Sequence, residues 1–188
     1  MSTKQRLHLL RHGQTTAGKA YIGSTDVALT DLGWQQMRHS VEQYMASGET
    51  WDLVLSSPLQ RCATFAREFC AEQGLAVQIL ADLAEYHFGD WEAKTALQVM
   101  EQFPNALEAF WSDPENNPPA NAESLMGFSQ RIDAVVEQIK QQHTGKKILV
   151  ICHGGVMRYL LSAQQNQPLS AMLNYPVDHG ELLSINGL

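Results

Sequence analysis

The chain has 188 residues, of which 44% are hydrophobic, and a formal net charge of −7. A chain of this size can bury a core without disulfides or a structural metal, so we predict a single domain over residues 1–188. The acidic balance argues against a sequence-independent nucleic-acid binder, which needs surplus Lys and Arg to displace counterions from phosphates. Any anionic ligand must therefore be met by a local basic cluster.

The cysteines and the apolar runs indicate the compartment. Cys62, Cys70 and Cys152 are odd in number and lie in segments predicted as helix or buried strand, so reduced thiols are the simpler interpretation. The first residues hold no apolar stretch of signal-peptide length, and the longest later apolar run spans only residues 148–152. We predict a soluble, cytoplasmic protein that makes no membrane contact.

Predicted strands and helices alternate along the chain. In chain order they are a strand at 7–10, a helix at 31–45, a strand at 53–56, a helix at 58–73, a strand at 77–80, a short helix at 105–112, a helix at 122–142, a strand at 148–152, a helix at 156–164 and a strand at 182–185. Pro58 fits a first helical position, and Gly74 fits a C-terminal cap. This alternation predicts an α/β fold, a three-layer α/β/α sandwich with a mostly parallel central sheet.

Residues 103–124 interrupt the regular pattern. They contain four of the seven prolines and several asparagines. We interpret this segment, apart from its short helix, as a lid-like or substrate-selecting insertion over the edge of the sheet. Its aromatic residues, Phe103, Phe110 and Trp111, leave two interpretations open: they stack on an aromatic base of the substrate, or they only pack the insertion down.

Three glycine- or serine-containing turns follow predicted strands. They are Arg11-His12-Gly13, Ser56-Ser57 and His153-Gly154-Gly155. Ligands of parallel sheets bind beyond the carboxyl ends of the strands, so we expect these turns to share one edge of the sheet.

The first turn supplies a candidate nucleophile. Neutral imidazole attacks phosphorus readily, and a neighbouring guanidinium gathers phosphate oxygens in a bidentate fork. Arg11 and His12 can serve one site if the chain bends at the strand end, and Gly13 permits that bend. For this tripeptide alone, a surface arginine beside an ordinary hydrogen-bonded histidine is an equally good interpretation.

Two further basic groups begin predicted helices. Arg61 lies in a first helical turn, where a positive charge is unfavourable for the helix dipole unless it faces an anion. If it stood alone, a solvated helix residue would be the better interpretation. His153 would hydrogen-bond a transferring group, while the amide of Gly154 opens the next helix toward that group.

A carboxylate completes the set. An alkyl ester has a poor leaving group, so the pocket needs a proton donor, and Glu85 lies next to aromatic residues and a glycine turn. Asp90 and Glu92 are competitors for this role, and a capping or solvated acid is the alternative. Together, two arginines, two histidines and one glutamate form a charge-complementary box for a phosphoryl group and require no metal.

In their order along the chain, the four motifs around His12, Arg61, Glu85 and His153 resemble those of the histidine phosphatase superfamily, in its phosphoglycerate mutase-like branch, from about residue 7 to residue 185. The resemblance implies that His12 is phosphorylated and that no cofactor is needed. It further implies that Arg11, Arg61 and His153 hold the phosphoryl oxygens. Glu85 would be the general acid and would later activate water.

Within the superfamily, three stretches are most similar to the alpha-ribazole phosphatases of cobalamin nucleotide-loop assembly: Tyr21-Ile22-Gly23, Ala28-Leu29-Thr30 and Phe88-Gly89-Asp90-Trp91-Glu92. The resemblance implies a small phosphorylated metabolite as substrate, with alpha-ribazole 5′-phosphate expected. The expected substrate-binding residues are Arg11, Gln14, Thr15, Tyr21, Gly23, Arg61, Glu85, His153 and Gly154.

Three positions depart from the family pattern. Gly18 replaces the usual asparagine that reaches the phosphate, Gln14 replaces a common glutamate, and residues 121–124 replace a Gly-Gly-Glu-Ser run. Losing one neutral donor to a charged group costs roughly 1.5–3 kcal/mol of phosphate binding, unless Gln14, Thr15 or a backbone amide substitutes for it.

Other functions stay open at this point. Residues 152–158 also fit the Cys-x-x-Gly-x-x-Arg loop of cysteine-dependent phosphatases, but that mechanism leaves Arg11-His12-Gly13, Arg61 and Glu85 unexplained. A broad-specificity phosphatase, a phosphoglycerate mutase and a non-catalytic phospho-ligand binding protein are further alternatives, and a homodimer is possible. A metal site built from His8, His12, His87 or His179 has little support: His8 and His12 have the four-residue spacing of metal ligands on one face of a helix, but their segment is predicted as a strand.

Overall fold

A five-stranded sheet forms the centre of the fold. The structure, a computed structural model, describes residues 6–186. The strands are β1 (Arg6–Arg11), β2 (Leu53–Ser56), β3 (Val77–Ile79), β4 (Lys147–Cys152) and β5 (Leu182–Asn186), in the order β3-β2-β4-β1-β5. β1, β2, β3 and β4 run parallel, and β5 is antiparallel to β1. The prediction of a mostly parallel sheet is confirmed.

Helices connect the strands. Within residues 6–186 the α-helices are α1 (Asp31–Met45), α2 (Gln60–Gln73), α3 (Ala96–Gln102), α4 (Ala106–Ser112), α5 (Leu125–Gln142) and α6 (Gly154–Gln164). Short 3₁₀ turns span Ala81–Leu83, Gly89–Trp91 and Leu169–Asn174. None of the described helices is both long enough and apolar enough to cross a bilayer.

Helices cover both faces of the sheet because alternate strand residues point to opposite sides. On one side, Leu10, Val54 and Leu149 share a buried cluster with residues of α1 and α2. On the other side, Leu9 and Val150 share a second cluster with residues of α5 and α6. The predicted three layers follow, and the central strands are buried on both faces, as expected for runs rich in Leu, Ile and Val that do not alternate with polar residues.

Several predicted helix boundaries were wrong. α2 begins at Gln60, because Leu59 has an extended backbone (φ −67°, ψ 136°), so Pro58 lies outside the helix. α5 begins at Leu125 instead of residue 122, because the Ser124 hydroxyl accepts the Gly127 N–H and thereby caps the helix. α6 begins at Gly154, directly after β4, and therefore two residues earlier than predicted.

Other local predictions agree with the structure more closely. Gly74 adopts the left-handed conformation (φ 66°) after α2, as a C-terminal cap should. β3 ends at Ile79, one residue earlier than predicted, and α4 begins at Ala106, one residue later. α3 was not predicted, although Thr95 and Gln98 form a capping box at its start. The three cysteines are buried free thiols.

Candidate active site

A cavity of about 370 Å³ opens beyond the carboxyl ends of β1 and β4. The ends of three parallel strands are joined here by backbone hydrogen bonds. The N–H of His12 donates to the Cys152 carbonyl, and the N–H of Ser57 donates to the Ile151 carbonyl, both at 3.0 Å. The three turns predicted to share one edge of the sheet therefore do so.

His12 lies in the cavity wall, where the chain leaves β1. A Cβ atom on Gly13 would lie 2.0 Å from the carbonyl oxygen of Gly33, so only glycine allows the strand end to pack this closely against α1. His12 Nδ1 lies 2.8 Å from the Gly13 carbonyl oxygen. Because a carbonyl can only accept, Nδ1 carries the proton and Nε2 keeps a lone pair. Burial lowers the pKa of His12 well below its ordinary value, and the charge of Arg61 lowers it further, so the ring is neutral near neutral pH.

His153 and Arg61 are fully buried behind His12. The ring centroids of His12 and His153 are 5.2 Å apart. Arg61 Nε donates to His153 Nδ1 at 3.3 Å, and His153 Nε2 lies 2.6 Å from the Ser57 hydroxyl. The proton of the neutral ring is therefore on Nε2. Burial, followed by the charge of Arg61, lowers the pKa of His153 well below its ordinary value.

Arg61 also organises the loop before α1. Its terminal nitrogens donate to the carbonyls of Ile22 at 3.3 Å, Gly23 at 2.7 Å and Thr25 at 2.9 Å. In the part of the chain that the structure describes, no carboxylate pairs with Arg61. A buried positive charge without a counterion is suited to an anionic ligand.

Arg11 presents a second guanidinium to the cavity. Its Nη1 donates to the Val177 carbonyl at 2.6 Å, and its Nη2 lies 3.2 Å from His179 Nε2. Its Nε is buried and has no hydrogen-bond partner. Leaving a buried donor unpaired costs roughly 1–3 kcal/mol, and an anion bound in the cavity would supply the missing acceptor.

Glu85 faces the N-terminus of α6. Its Oε2 accepts the Gly155 N–H at 2.9 Å, and its Oε1 accepts the N–H of Tyr86 at 2.9 Å. A Cβ atom on Gly155 would lie 2.3 Å from Glu85 Oε1, so glycine at this position makes room for the carboxylate. Glu85 lines the cavity together with His12.

The competing acids, Asp90 and Glu92, form hydrogen bonds outside the cavity. Glu92 accepts the backbone N–H groups of Gly23, Ser24 and Thr25, and it therefore clamps the loop whose carbonyls hold Arg61. Asp90 accepts from the Asn121 side chain at 2.9 Å. Neither acid lines the cavity.

The sequence over residues 7–187 matches the histidine phosphatase superfamily (branch 1). This chain belongs to that superfamily.

Individual relatives support the same assignment. The adenosylcobalamin/alpha-ribazole phosphatase of Escherichia coli is 33% identical over 93% of this chain and 86% of its own length. The glucosyl-3-phosphoglycerate phosphatase of Mycolicibacterium vanbaalenii is 32% identical over 92% of this chain and 78% of its own. The crystal structure of the alpha-ribazole phosphatase from Shigella flexneri superimposes with a TM-score of 0.82 at 31% identity, covering 95% of this chain and 89% of that one.

These matches fix the class of the enzyme. The predicted phosphoglycerate mutase-like α/β fold is confirmed, and the chain is a phosphoric monoester hydrolase that acts on a small phosphorylated substrate.

Five of the nine predicted substrate-binding residues line the histidine phosphatase cavity: Arg11, Thr15, Tyr21, Glu85 and Gly154. Arg61 and His153 are fully buried and do not line it. Gln14 does not: its backbone N–H donates to Gln36, and its side chain accepts from the Thr30 hydroxyl. Gly23 contributes through its carbonyl to Arg61.

Gly18 lines the histidine phosphatase cavity with a backbone in the left-handed region (φ 62°). Asparagine tolerates this conformation better than most residues. The glycine therefore preserves the backbone path but offers no side-chain donor.

Sequence reasoning did not assign Arg158 and His179 to the cavity, although both line it. Like Arg61, Arg158 is a basic residue near the start of a helix, and the same pattern could have assigned it to the site. His179 lies 167 residues after His12, yet their ring centroids are 5.7 Å apart. This pairing depends on β5 lying beside β1, which no local pattern specifies.

Proposed function

We propose that this histidine phosphatase hydrolyses alpha-ribazole 5′-phosphate, or a closely similar ester with an aromatic base, through a phosphohistidine on His12. One observation supports this most directly. A neutral histidine with a free Nε2 lone pair lies among two guanidiniums and a carboxylate, at the base of a cavity whose remaining wall is mostly aromatic and aliphatic.

In the first step, His12 Nε2 attacks phosphorus and the bond from phosphorus to the ester oxygen breaks. Arg11 and Arg61 offset the negative charge on the phosphoryl oxygens. His153 contributes a neutral ring beside His12. Glu85 transfers its proton to the departing alkoxide, so the alcohol leaves uncharged. The products of this step are a phosphohistidine, a Glu85 carboxylate and the free alcohol.

In the second step, a water molecule occupies the position left by the alcohol. Glu85 accepts a proton from this water while its oxygen attacks phosphorus and the bond from Nε2 to phosphorus breaks. Inorganic phosphate leaves, and His12 returns to its neutral form. The hydrogen bond from Nδ1 to the Gly13 carbonyl holds the ring in one tautomer throughout both steps.

The outer part of the cavity supports an aromatic leaving group. Tyr21, Phe88, Phe110 and Trp111 contribute to its wall, and the Tyr21 and Phe88 rings are 5.3 Å apart. Trp111 is about half exposed (49%), which leaves ring surface free at the cavity. A flat base can stack on such surfaces. Phe110 and Trp111 belong to the insertion at 103–124, and closure of this insertion as a lid stays a prediction.

A substrate panel tests the proposal. Phosphate release is measured with a chelator present for alpha-ribazole 5′-phosphate, p-nitrophenyl phosphate, phosphoserine and 3-phosphoglycerate. We expect alpha-ribazole 5′-phosphate to have a kcat/KM at least roughly tenfold above the other metabolites, which is about 1.4 kcal/mol of transition-state binding. The His12→Ala variant is the blank, and His39→Ala, an exposed histidine of α1, is the matched control.

Three outcomes would contradict the proposal. Equal rates on all metabolites would indicate a broad-specificity phosphatase. Isomerised phosphoglycerate without free phosphate would indicate a mutase. Binding of the esters with no release at any pH would indicate a non-catalytic protein.

A separate trapping experiment with ³²P-labelled substrate tests the phosphohistidine. The label on the protein should be stable in alkali, His39→Ala should retain it, and His12→Ala should lack it.

A further inference from the structure

Arg158 is a third arginine at the phosphoryl end of the cavity. It lies on α6, four residues after Gly154, and residues with this spacing share one face of a helix. It lines the cavity with Arg11 and Glu85. Arg158 has no role in either step of the proposed reaction.

Its guanidinium lies beside that of Arg11. The point that a Cβ atom on Gly154 would occupy is 3.1 Å from Arg158 Nη1 and 3.2 Å from Arg11 Nε. The two charged groups therefore flank Gly154 at the start of α6. This is also where the Nε of Arg11 is buried without a partner.

One segment, residues 175–179, holds both guanidiniums in place. Arg158 Nε donates to the Tyr175 carbonyl at 3.0 Å. Arg11 is held by the Val177 carbonyl and by His179 Nε2. Burial lowers the pKa of His179 to about 4, so its ring is neutral and accepts from Arg11. Each guanidinium is thus anchored on its outer side.

Arg11 and Arg158 carry like charges that repel each other. Within residues 6–186 neither forms an ion pair with a carboxylate, although the charges of Glu85, Asp178 and Glu181 partly offset that of Arg11. A bound dianion would convert the repulsion into attraction to a shared ligand. Gly18, which also lines the cavity, has no side chain with which to contact that ligand.

We propose that Arg158 donates directly to the transferring phosphoryl group, as a third guanidinium beside Arg11 and Arg61. The inference rests on the proposed function, because it assigns Arg158 to the same phosphoryl site. This role differs from recognition of the leaving group, because Arg158 Nη1 and Arg11 Nε both lie close to Gly154.

The test compares Arg158→Gln and Arg158→Lys with the native enzyme. The matched control is Arg38→Gln, which removes an arginine of α1 that pairs with Glu68 and Glu72 and does not line the cavity. Two substrates are used: p-nitrophenyl phosphate, whose leaving group adds no carboxylate, and 3-phosphoglycerate, which adds one. The readouts are kcat/KM and the inhibition constant of inorganic phosphate.

We expect Arg158→Gln to lower kcat/KM at least tenfold on both substrates and to raise the inhibition constant of phosphate by a similar factor. Arg158→Lys should recover part of each loss, because it keeps the charge but not the planar fork. Arg38→Gln should match the native enzyme. If Arg158 only supported folding, a variant with a native melting curve would keep the native inhibition constant of phosphate.

Native values for Arg158→Gln would overturn the inference. So would a loss confined to 3-phosphoglycerate, which would assign Arg158 to the leaving group. If the Gln variant does not fold, Arg158→Lys decides, and a native phosphate constant in that variant overturns the inference. Failure of the proposed function is distinct, because it would appear in the native protein, as equal rates on all metabolites, isomerised phosphoglycerate or no release from any ester, whatever the Arg158 variants do.

Discussion

Replacing Gly155 with alanine should move the proposed proton donor without unfolding the protein. The added Cβ would lie 2.3 Å from Glu85 Oε1, whereas ordinary contacts begin at 3.4 Å, so the carboxyl must retreat by roughly 1 Å. A displacement of this size costs on the order of 100-fold in rate when the moved group takes part in the reaction. Alanine also favours the helical backbone by roughly 0.5–1 kcal/mol relative to glycine, which supports α6.

The assay separates proton donation from other effects by the choice of leaving group. An alkyl alkoxide needs the proton from Glu85, but p-nitrophenolate leaves without one. We expect kcat/KM of Gly155→Ala to fall about 100-fold on an alkyl phosphate and by less than about threefold on p-nitrophenyl phosphate. The parameter kcat/KM is chosen because it reports only the steps through release of the alcohol.

The matched control is Gly127→Ala in the first turn of α5. There the new Cβ would meet only the Ser124 hydroxyl, at 3.0 Å. Both rates should stay within about twofold of native, since α5 carries none of the proposed catalytic groups. Equal losses of Gly155→Ala on the two esters, or native activity on the alkyl ester, would refute the assignment of Glu85 as the proton donor.

Three further predictions concern other groups. Cys152→Ser should keep most of the activity that His12→Ala loses, because burial raises the pKa of the Cys152 thiol well above its ordinary value and only a thiolate is a good nucleophile. Loss of activity in a natively folded Cys152→Ser variant would favour the thiol as the nucleophile. Glu92→Gln should cost about 2–3 kcal/mol in urea unfolding and raise KM, because the clamp on the loop that holds Arg61 weakens; unchanged stability would argue against that clamp. The lowered pKa of His153 makes the unfolded state the stronger proton acceptor, so the free energy of unfolding should decline as the pH falls below about 6.5. His153 should contribute up to about 1.4 kcal/mol per pH unit to this decline, and the decline should be shallower in His153→Gln; equal slopes would contradict this.

Much of the candidate site could be predicted because its signals are local. His12 and His153 each follow a strand rich in Leu, Ile or Val and precede glycine, and Arg61 stands at a helix start against the dipole. Parallel strands bring such positions to one edge of the sheet regardless of their distance along the chain.

The contacts that fix these groups could not be predicted in the same way. Arg11 is held by a carbonyl 166 residues away, and this contact exists only because β5 lies beside β1. Glu92 was a candidate proton donor by residue type, but the folded loop directs three backbone N–H groups at it. Helix starts were misplaced where a neighbouring side chain, such as the Ser124 hydroxyl, determined the cap.

The pairing of β1 with β5 sets a limit on when the enzyme can become active during synthesis. A ribosome-bound chain that has emerged only to residue 170 already contains His12, Arg61, Glu85 and His153, but lacks the acceptors at Tyr175 and Val177 that orient Arg158 and Arg11. Such a nascent chain should therefore be unable to hold its phosphate ligand. Activity should arise only when the final strand joins the sheet.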